Sequence, residues 1–198
     1  MSLGYIDIDE SMWSYWKHMC GGAIISERVI ITAAHCVRDI TTNMILQKPP
    51  RPNAKIFIRT GDEYLNTEEE SDKYARTYEI QGYKMHPKYD PNLPHFDIAL
   101  IFTKEPIEFD GNKMTSPICI PQTPQINGNA RGNHRVRFAG WGFENSEDVE
   151  FGERAIDSLN EGDLSVFFTT YCKREFYGWL QDHHLCAGNE VINATYNM

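Results

Sequence analysis

His35 and Asp97 are the residues whose neighbours best equip them for chemistry. His35 lies in Val29-Ile30-Ile31-Thr32-Ala33-Ala34-His35-Cys36, directly before a cysteine, and a second cysteine opens the preceding run Cys20-Gly21-Gly22-Ala23-Ile24-Ile25-Ser26. The two apolar runs, joined at Ser26-Glu27-Arg28, read as a β-hairpin flanked by cysteines. A bridge between those cysteines would hold the histidine backbone still. A general base needs that support, because small displacements of reacting atoms are costly. Asp97 stands in Phe96-Asp97-Ile98-Ala99-Leu100, where a carboxylate enters an apolar strand. Burying such a group is unfavourable unless it is paired or well hydrogen-bonded. A bond accepted from His35 Nδ1–H would satisfy it, set the imidazole tautomer and stabilise the imidazolium. Taken singly, each residue also has an ordinary reading, as a structural histidine in a hairpin and as a carboxylate at a strand start.

The elements that must position this pair are short strands. Runs of β-branched and aromatic residues recur at Ala23–Ile25, Val29–Thr32, Ile56–Ile58, Ile98–Phe102, Val136–Ala139 and Leu164–Phe168, separated by Gly, Pro, Asn and Asp. That pattern predicts an all-β barrel or sandwich. Arg135-Val136-Arg137-Phe138 alternates as a half-buried strand should. One helix is expected near Thr170–Tyr177, with Thr170 as its N-cap. Between Asp110 and Asn133, Gly111, Pro117, Pro121, Pro124, Gly128 and Gly132 break any regular element, so a crossing between two halves is expected there.

Composition narrows the classes. The 198 residues suffice to bury a sizeable core, and 41% of them are hydrophobic, which argues against disorder. No apolar run approaches a membrane span. The net charge of -9 makes the surface a poor partner for nucleic acid. Five cysteines (Cys20, Cys36, Cys119, Cys172 and Cys186) include no CxxC pair, so disulfides and an oxidising compartment are expected rather than a zinc ribbon. The odd count leaves one over. Met1–Ile6 is followed at once by Asp7, Asp9 and Glu10, which is not a signal peptide, so the cysteines point to secretion while the start carries no address.

The run from Cys20 to Cys36 closely resembles the histidine-box region of the chymotrypsin/trypsin serine protease family, and Phe96-Asp97-Ile98-Ala99-Leu100 resembles its aspartate motif in the same chain order. Pro117-Ile118-Cys119-Ile120-Pro121 looks like the family's inter-barrel segment, and Phe138-Ala139-Gly140-Trp141-Gly142 like the first strand of its second barrel. Tyr171-Cys172 and Leu185-Cys186-Ala187-Gly188 resemble the cysteines that bracket the intermediate helix and the next strand. The resemblance implies disulfides Cys20–Cys36 and Cys172–Cys186. It leaves Cys119 unpaired within the chain, at a place where many relatives bridge to a propeptide or light chain. It also implies His35 as general base and acid, with Asp97 as its orienter.

The pattern then departs from the family. The nucleophile belongs in a Gly-Asp-Ser-Gly-Gly-type turn soon after the cysteine matching Cys186, yet no serine occurs after Ser165. The oxyanion-hole backbone, the specificity-pocket floor and the Ile-Val-Gly-Gly-like start are not found either, so a chain truncated at both ends is expected. His35 and Asp97 alone would offer general-base help of about 10²–10⁴-fold, too little for peptide hydrolysis.

Other candidate sites are weaker. Asp62, Glu69 and Asp72 have a spacing that resembles the calcium loop of some relatives, although Glu68, Glu69 and Glu70 read equally as a solvated acidic run. His183-His184-x-Cys186 lacks a second ligand cluster. Asn193-Ala194-Thr195 is a glycosylation acceptor if the chain is secreted, and Thr195 has no glycine-rich turn that would make it a nucleophile.

The expectation is therefore an all-β, chymotrypsin-like double β-barrel with the second barrel incomplete. Residues 1–115 form the first barrel with His35 and Asp97, 116–134 the inter-barrel crossing, and 135–198 the partial second barrel. By resemblance the function is that of a secreted trypsin-like serine endopeptidase domain acting on protein or peptide substrates and bound by their inhibitors. The chain as given would be inactive, and no cofactor is required beyond a structural Ca²⁺ at most. The alternative is a non-catalytic protease homologue acting as a binding or regulatory module. A metal- or nucleic-acid-binding β protein has little support from ligand spacing or charge.

Overall fold

A computed structural model of the chain describes residues 1–8, 14–42, 56–65, 74–93, 95–109, 114–121, 134–142, 158–168, 172–173, 180–181 and 183–188. Two compact units are present, Met1–Cys119 with Trp141–Leu159, and Ile120–Gly140 with Asn160–Met198. The chain passes to the second unit after Cys119, returns to the first over 141–159 and completes the second from Asn160.

The first unit is one antiparallel sheet. Its strands are β1 (Ser2–Ile8), β2 (Ser14–Gly21), β3 (Ala23–Ser26), β4 (Val29–Thr32), β5 (Ile56–Thr60), β6 (Arg76–Met85) and β7 (Ala99–Thr103). They lie in the order β2-β1-β5-β6-β7-β4-β3. The two edge strands, β2 and β3, are consecutive in the chain and separated only by Gly22. The sheet must therefore curl until its edges meet, a nearly closed barrel with little exposed edge. Gly22 suits this corner because a Cβ there would sit 2.8 Å from the Ile31 carbonyl oxygen.

Period-two alternation builds the core. Ile30 and Thr32 point inward from β4, and Ala99, Ile101 and Thr103 from β7, with Ile30 paired directly to Ile101. Leu3, Ile24, Val37, Ile58, Tyr78 and Ile107 complete the cluster. Each such aliphatic side chain contributes about 1.5–3 kcal/mol by burial. A slip of one residue would turn every inward side chain to solvent, so this packing also fixes the register.

After β4 the chain forms α1 (Ala34–Thr42), the helix that carries His35. Sequence reading did not anticipate it. Val37, Ile40, Thr41 and Thr42 are β-branched and weak helix formers, and the first turn has no acidic residue. Tertiary burial of Ala34, Cys36 and Val37 overrides that weak propensity. The helix expected over Thr170–Tyr177 is described only at Cys172 and Lys173, which are helical; the rest lies outside the described residues.

The second unit contains an antiparallel sheet of β8 (His134–Gly140), β9 (Asn160–Phe167) and β10 (Cys186–Gly188), in the order β10-β9-β8. The alternation expected of residues 135–138 is imperfect, since Phe138 is 52% exposed. Its ring covers Gly162 instead, where a Cβ would come within 2.7 Å of it. Phe138 faces Gly162 directly in the β8–β9 register, so the ring fills the space left by the missing side chain. The ten strands and one helix named among the described residues match the expected all-β class.

Candidate active site

The end of β4 and the start of β7 lie side by side through the Thr32↔Ala99 pair. In an antiparallel ladder, the residues just after one strand and just before its partner emerge at the same end. That geometry brings together His35 and Asp97, 62 residues apart in the chain. Cys36, next to the histidine, is joined by a disulfide to Cys20 on β2, with a Cα–Cα distance of 6.2 Å. Thr32 adds a second tie to β2 by donating from Oγ1 to the Gly21 carbonyl at 2.8 Å.

Asp97 meets His35 twice. Its Oδ1 accepts the His35 backbone N–H at 2.8 Å, and its Oδ2 lies 2.6 Å from His35 Nδ1. Burial acts to raise the Asp97 pKa. The His35 side-chain bond, the His35 backbone N–H, the histidine's charge and the Ala34 backbone N–H outweigh it, so the carboxyl is held below its ordinary value. An ionised carboxylate can only accept, so the proton between the two groups belongs on His35 Nδ1. When the imidazole is neutral, Nε2 then carries the free lone pair. It lies 3.4 Å from Cys36 Sγ. The side chains of His35 and Asp97 are 50% and 34% exposed, which leaves the imidazole accessible to a substrate. The arrangement can take a proton at Nε2 and stabilise the imidazolium that results.

Cys172 and Cys186 are joined in a disulfide, so Cys186 cannot serve as a metal ligand beside His183 and His184. The His183 and His184 rings lie 4.4 Å apart, and His184 Nδ1 accepts the Gln181 backbone N–H at 2.9 Å. Cys119 is exposed and outside any disulfide. Asp62 is fully buried at its side chain, with Oδ2 2.7 Å from Arg59 Nε. Its carboxylate is thus already answered by a protein cation. Glu69, Asp72 and Asn193 lie outside the described residues.

Sequence reading missed a polar cluster at the β1–β2 pair. Ser2 Oγ accepts from Trp16 Nε1 at 2.9 Å and lies 2.6 Å from His18 Nδ1. Burial, followed by the positive Met1 amino group, lowers the His18 pKa. The His18 ring is tilted against Trp141 at 5.6 Å. The available signal was the period-two placement of Trp16, His18 and Cys20 along one strand.

The trypsin family model matches residues 6–196. The chain belongs to the trypsin family. It is 33% identical over 162 residues to the clotting factor G beta subunit of Tachypleus tridentatus, covering 81% of this chain and 45% of that protein. It is 31% identical over 181 residues to the serine protease grass of Drosophila melanogaster, covering 87% and 43%. A human trypsin-family relative, inactive serine protease PAMR1, is 26% identical over 183 residues, covering 92% and 23%. The chain thus spans less than half the length of these curated relatives. In three dimensions it is similar to neuropsin, a serine protease expressed in the limbic system of mouse brain. The TM-score is 0.67 at 19% identity, covering 95% of this chain and 69% of that one, which supports the chymotrypsin-like fold. By family, then, this is a trypsin-like serine protease domain. Among the described residues, no helix is long and apolar enough to cross a membrane.

Proposed function

We propose that this chain carries the base-and-orienter half of a secreted trypsin-like serine endopeptidase. The observation that supports this reading best is the 2.6 Å pairing of His35 Nδ1 with Asp97 Oδ2, backed by the second bond from the His35 backbone. In the reaction, His35 Nε2 takes the proton of an attacking serine hydroxyl and later returns it to the leaving amine. Asp97 stays ionised throughout and steadies the imidazolium. The acyl group must pass through a serine, and none follows Ser165 in these 198 residues. On their own, these residues form no acyl-enzyme.

A fluorophosphonate serine probe tests this directly. We expect no labelling of the 198-residue chain, and labelling that disappears in His35→Ala would overturn the inactivity. The transcript beyond Met198 tests the endopeptidase reading: a Gly-Asp-Ser-Gly-Gly turn there supports it, and a replaced serine defeats it.

One observation favours a second reading, a non-catalytic homologue that binds substrates or inhibitors: a relative named an inactive serine protease covers 92% of this chain. In either case the exposed Cys119 is suited to an inter-chain disulfide with a light chain or propeptide. Non-reducing electrophoresis of material secreted from cells would show a heavier species that Cys119→Ser removes. Two intramolecular disulfides favour an oxidising, extracellular setting.

A further inference from the structure

Asp97 stands two residues before β7 with its side chain 34% exposed, and a carboxylate this exposed needs its backbone held if it is to meet two donors at once. The residue before it does something unusual. Phe96 has φ 55°, the left-handed region, and is the one non-glycine residue among those described to adopt it. A bulky side chain rarely occupies that region unless its surroundings enforce it. The enforcement is visible. The Phe96 ring stacks on His86 at 4.7 Å with an interplanar angle of 7°. The Lys88 ammonium lies 5.4 Å from the centre of the same ring.

The backbone around Asp97 is tied on both sides of that stack. Ile98 N–H donates to the Phe96 carbonyl at 2.8 Å, closing a three-residue turn centred on Asp97. The Ile98 carbonyl then accepts from His86 N–H at 2.9 Å, and the β6–β7 ladder begins with Met85↔Ala99. The His86 ring is itself fixed, because Nδ1 accepts the Lys88 backbone N–H at 3.1 Å. The chain therefore runs from an anchored ring pair, through a tight turn, into the strand, with Asp97 at the apex.

We propose that Phe96 is a positioning residue for Asp97. Its ring, held flat on His86, maintains the left-handed turn that aims the carboxylate at both His35 N–H and His35 Nδ1. The proposal rests on reading His35 and Asp97 as a catalytic pair. The Phe96 ring meets His86 and Lys88, and its effect on His35 is transmitted through Asp97.

The test uses the full 198-residue chain and reads the exchange rate of the His35 Nδ1 proton with water by NMR. Phe96→Ala should speed that exchange about tenfold, in line with the loss of an aromatic contact, while amides in β4 and β5 keep their protection. Phe96→Asn is the second variant, since asparagine tolerates the left-handed region but has no ring to stack; it should speed exchange less than Phe96→Ala does. Phe96→Tyr keeps the ring and should match the wild type. Unchanged exchange in Phe96→Ala and Phe96→Asn overturns the proposal. So does faster exchange that is matched by loss of protection across β4 and β5, which would make Phe96 a general structural residue. Asp97→Asn serves as the reference for the pair itself. If it fails to release the Nδ1 proton, the pair reading fails; if it does release it while Phe96→Ala does not, only the positioning role fails.

Discussion

The Asp97 carboxylate grips His35 at two points, its backbone N–H through Oδ1 at 2.8 Å and its ring through Oδ2 at 2.6 Å. One side chain thereby fixes both where the histidine sits and how its ring is turned. It also makes the pair sensitive to acid in a defined direction. The Asp97 carboxyl titrates lower in the folded chain than its unfolded value of about 3.9. The unfolded chain therefore takes up the proton first, and the stabilisation from Asp97 is present above that value and lost as pH falls through the folded one. Urea unfolding of wild type and Asp97→Asn should show wild type the more stable at pH 7, with the gap closing in strong acid. A gap that is independent of pH would contradict the pairing.

His18 gives a second acid-dependent contribution, at higher pH. Burial and then the Met1 amino charge lower its pKa from the ordinary 6.5. The folded chain holds it neutral while the unfolded chain protonates, so its contribution is intact above pH 6.5 and declines as pH falls through the folded value. Thermal melts taken from neutral to mildly acidic pH should fall less steeply for His18→Gln than for wild type. Parallel curves would count against this account.

Gly61 is held at φ 69°, where a Cβ would run into the Tyr74 carbonyl oxygen. That oxygen belongs to backbone, which cannot swing aside as a side chain can. Gly61→Ala combines left-handed strain with this clash and should cost more than about 2 kcal/mol. The midpoint of chemical unfolding measures it, and a change within experimental error would show that the loop relaxes.

Calcium should leave the melting temperature unchanged. Asp62 would have to abandon Arg59 to bind it, and both partners are at most 10% exposed at their side chains. Breaking that pair instead, by Asp62→Asn, should cost about 3 kcal/mol because it removes the carboxylate that balances a buried cation. An upward shift with calcium that Asp62→Asn abolishes would reinstate a calcium site involving Asp62.

The sequence made the His35–Asp97 pair readable because its surroundings are local and strongly patterned. Val29–Thr32 was read with the observed bounds of β4, and the strand read at Ile98–Phe102 begins one residue early, since β7 spans Ala99–Thr103. The turn at Glu27 and Arg28 stands where Ser26-Glu27-Arg28 placed it. What escaped depends on partners distant in the chain. The α1 helix forms on buried contacts and not on its own propensity. The β6 strand, Arg76–Met85, mixes charged and apolar residues without strict alternation and is defined by the two strands it pairs with. Phe138 looked like a core residue by alternation, but the glycine opposite it offered a different place to lie. The Ser2–Trp16–His18 cluster joins two strands, so no single stretch announces it.

The sheet order has a kinetic consequence. β4 and β7, neighbours in the barrel, are far apart in the chain, and between them the chain must also lay down β5 and β6. Pairings over such long loops are slow to form, because their closure entropy is lost before the contacts reward it. His35 and Asp97 come within bonding distance only once β7 has docked. Their contact is therefore expected late on the folding route, and the Nδ1 proton they share would report the completion of the first barrel.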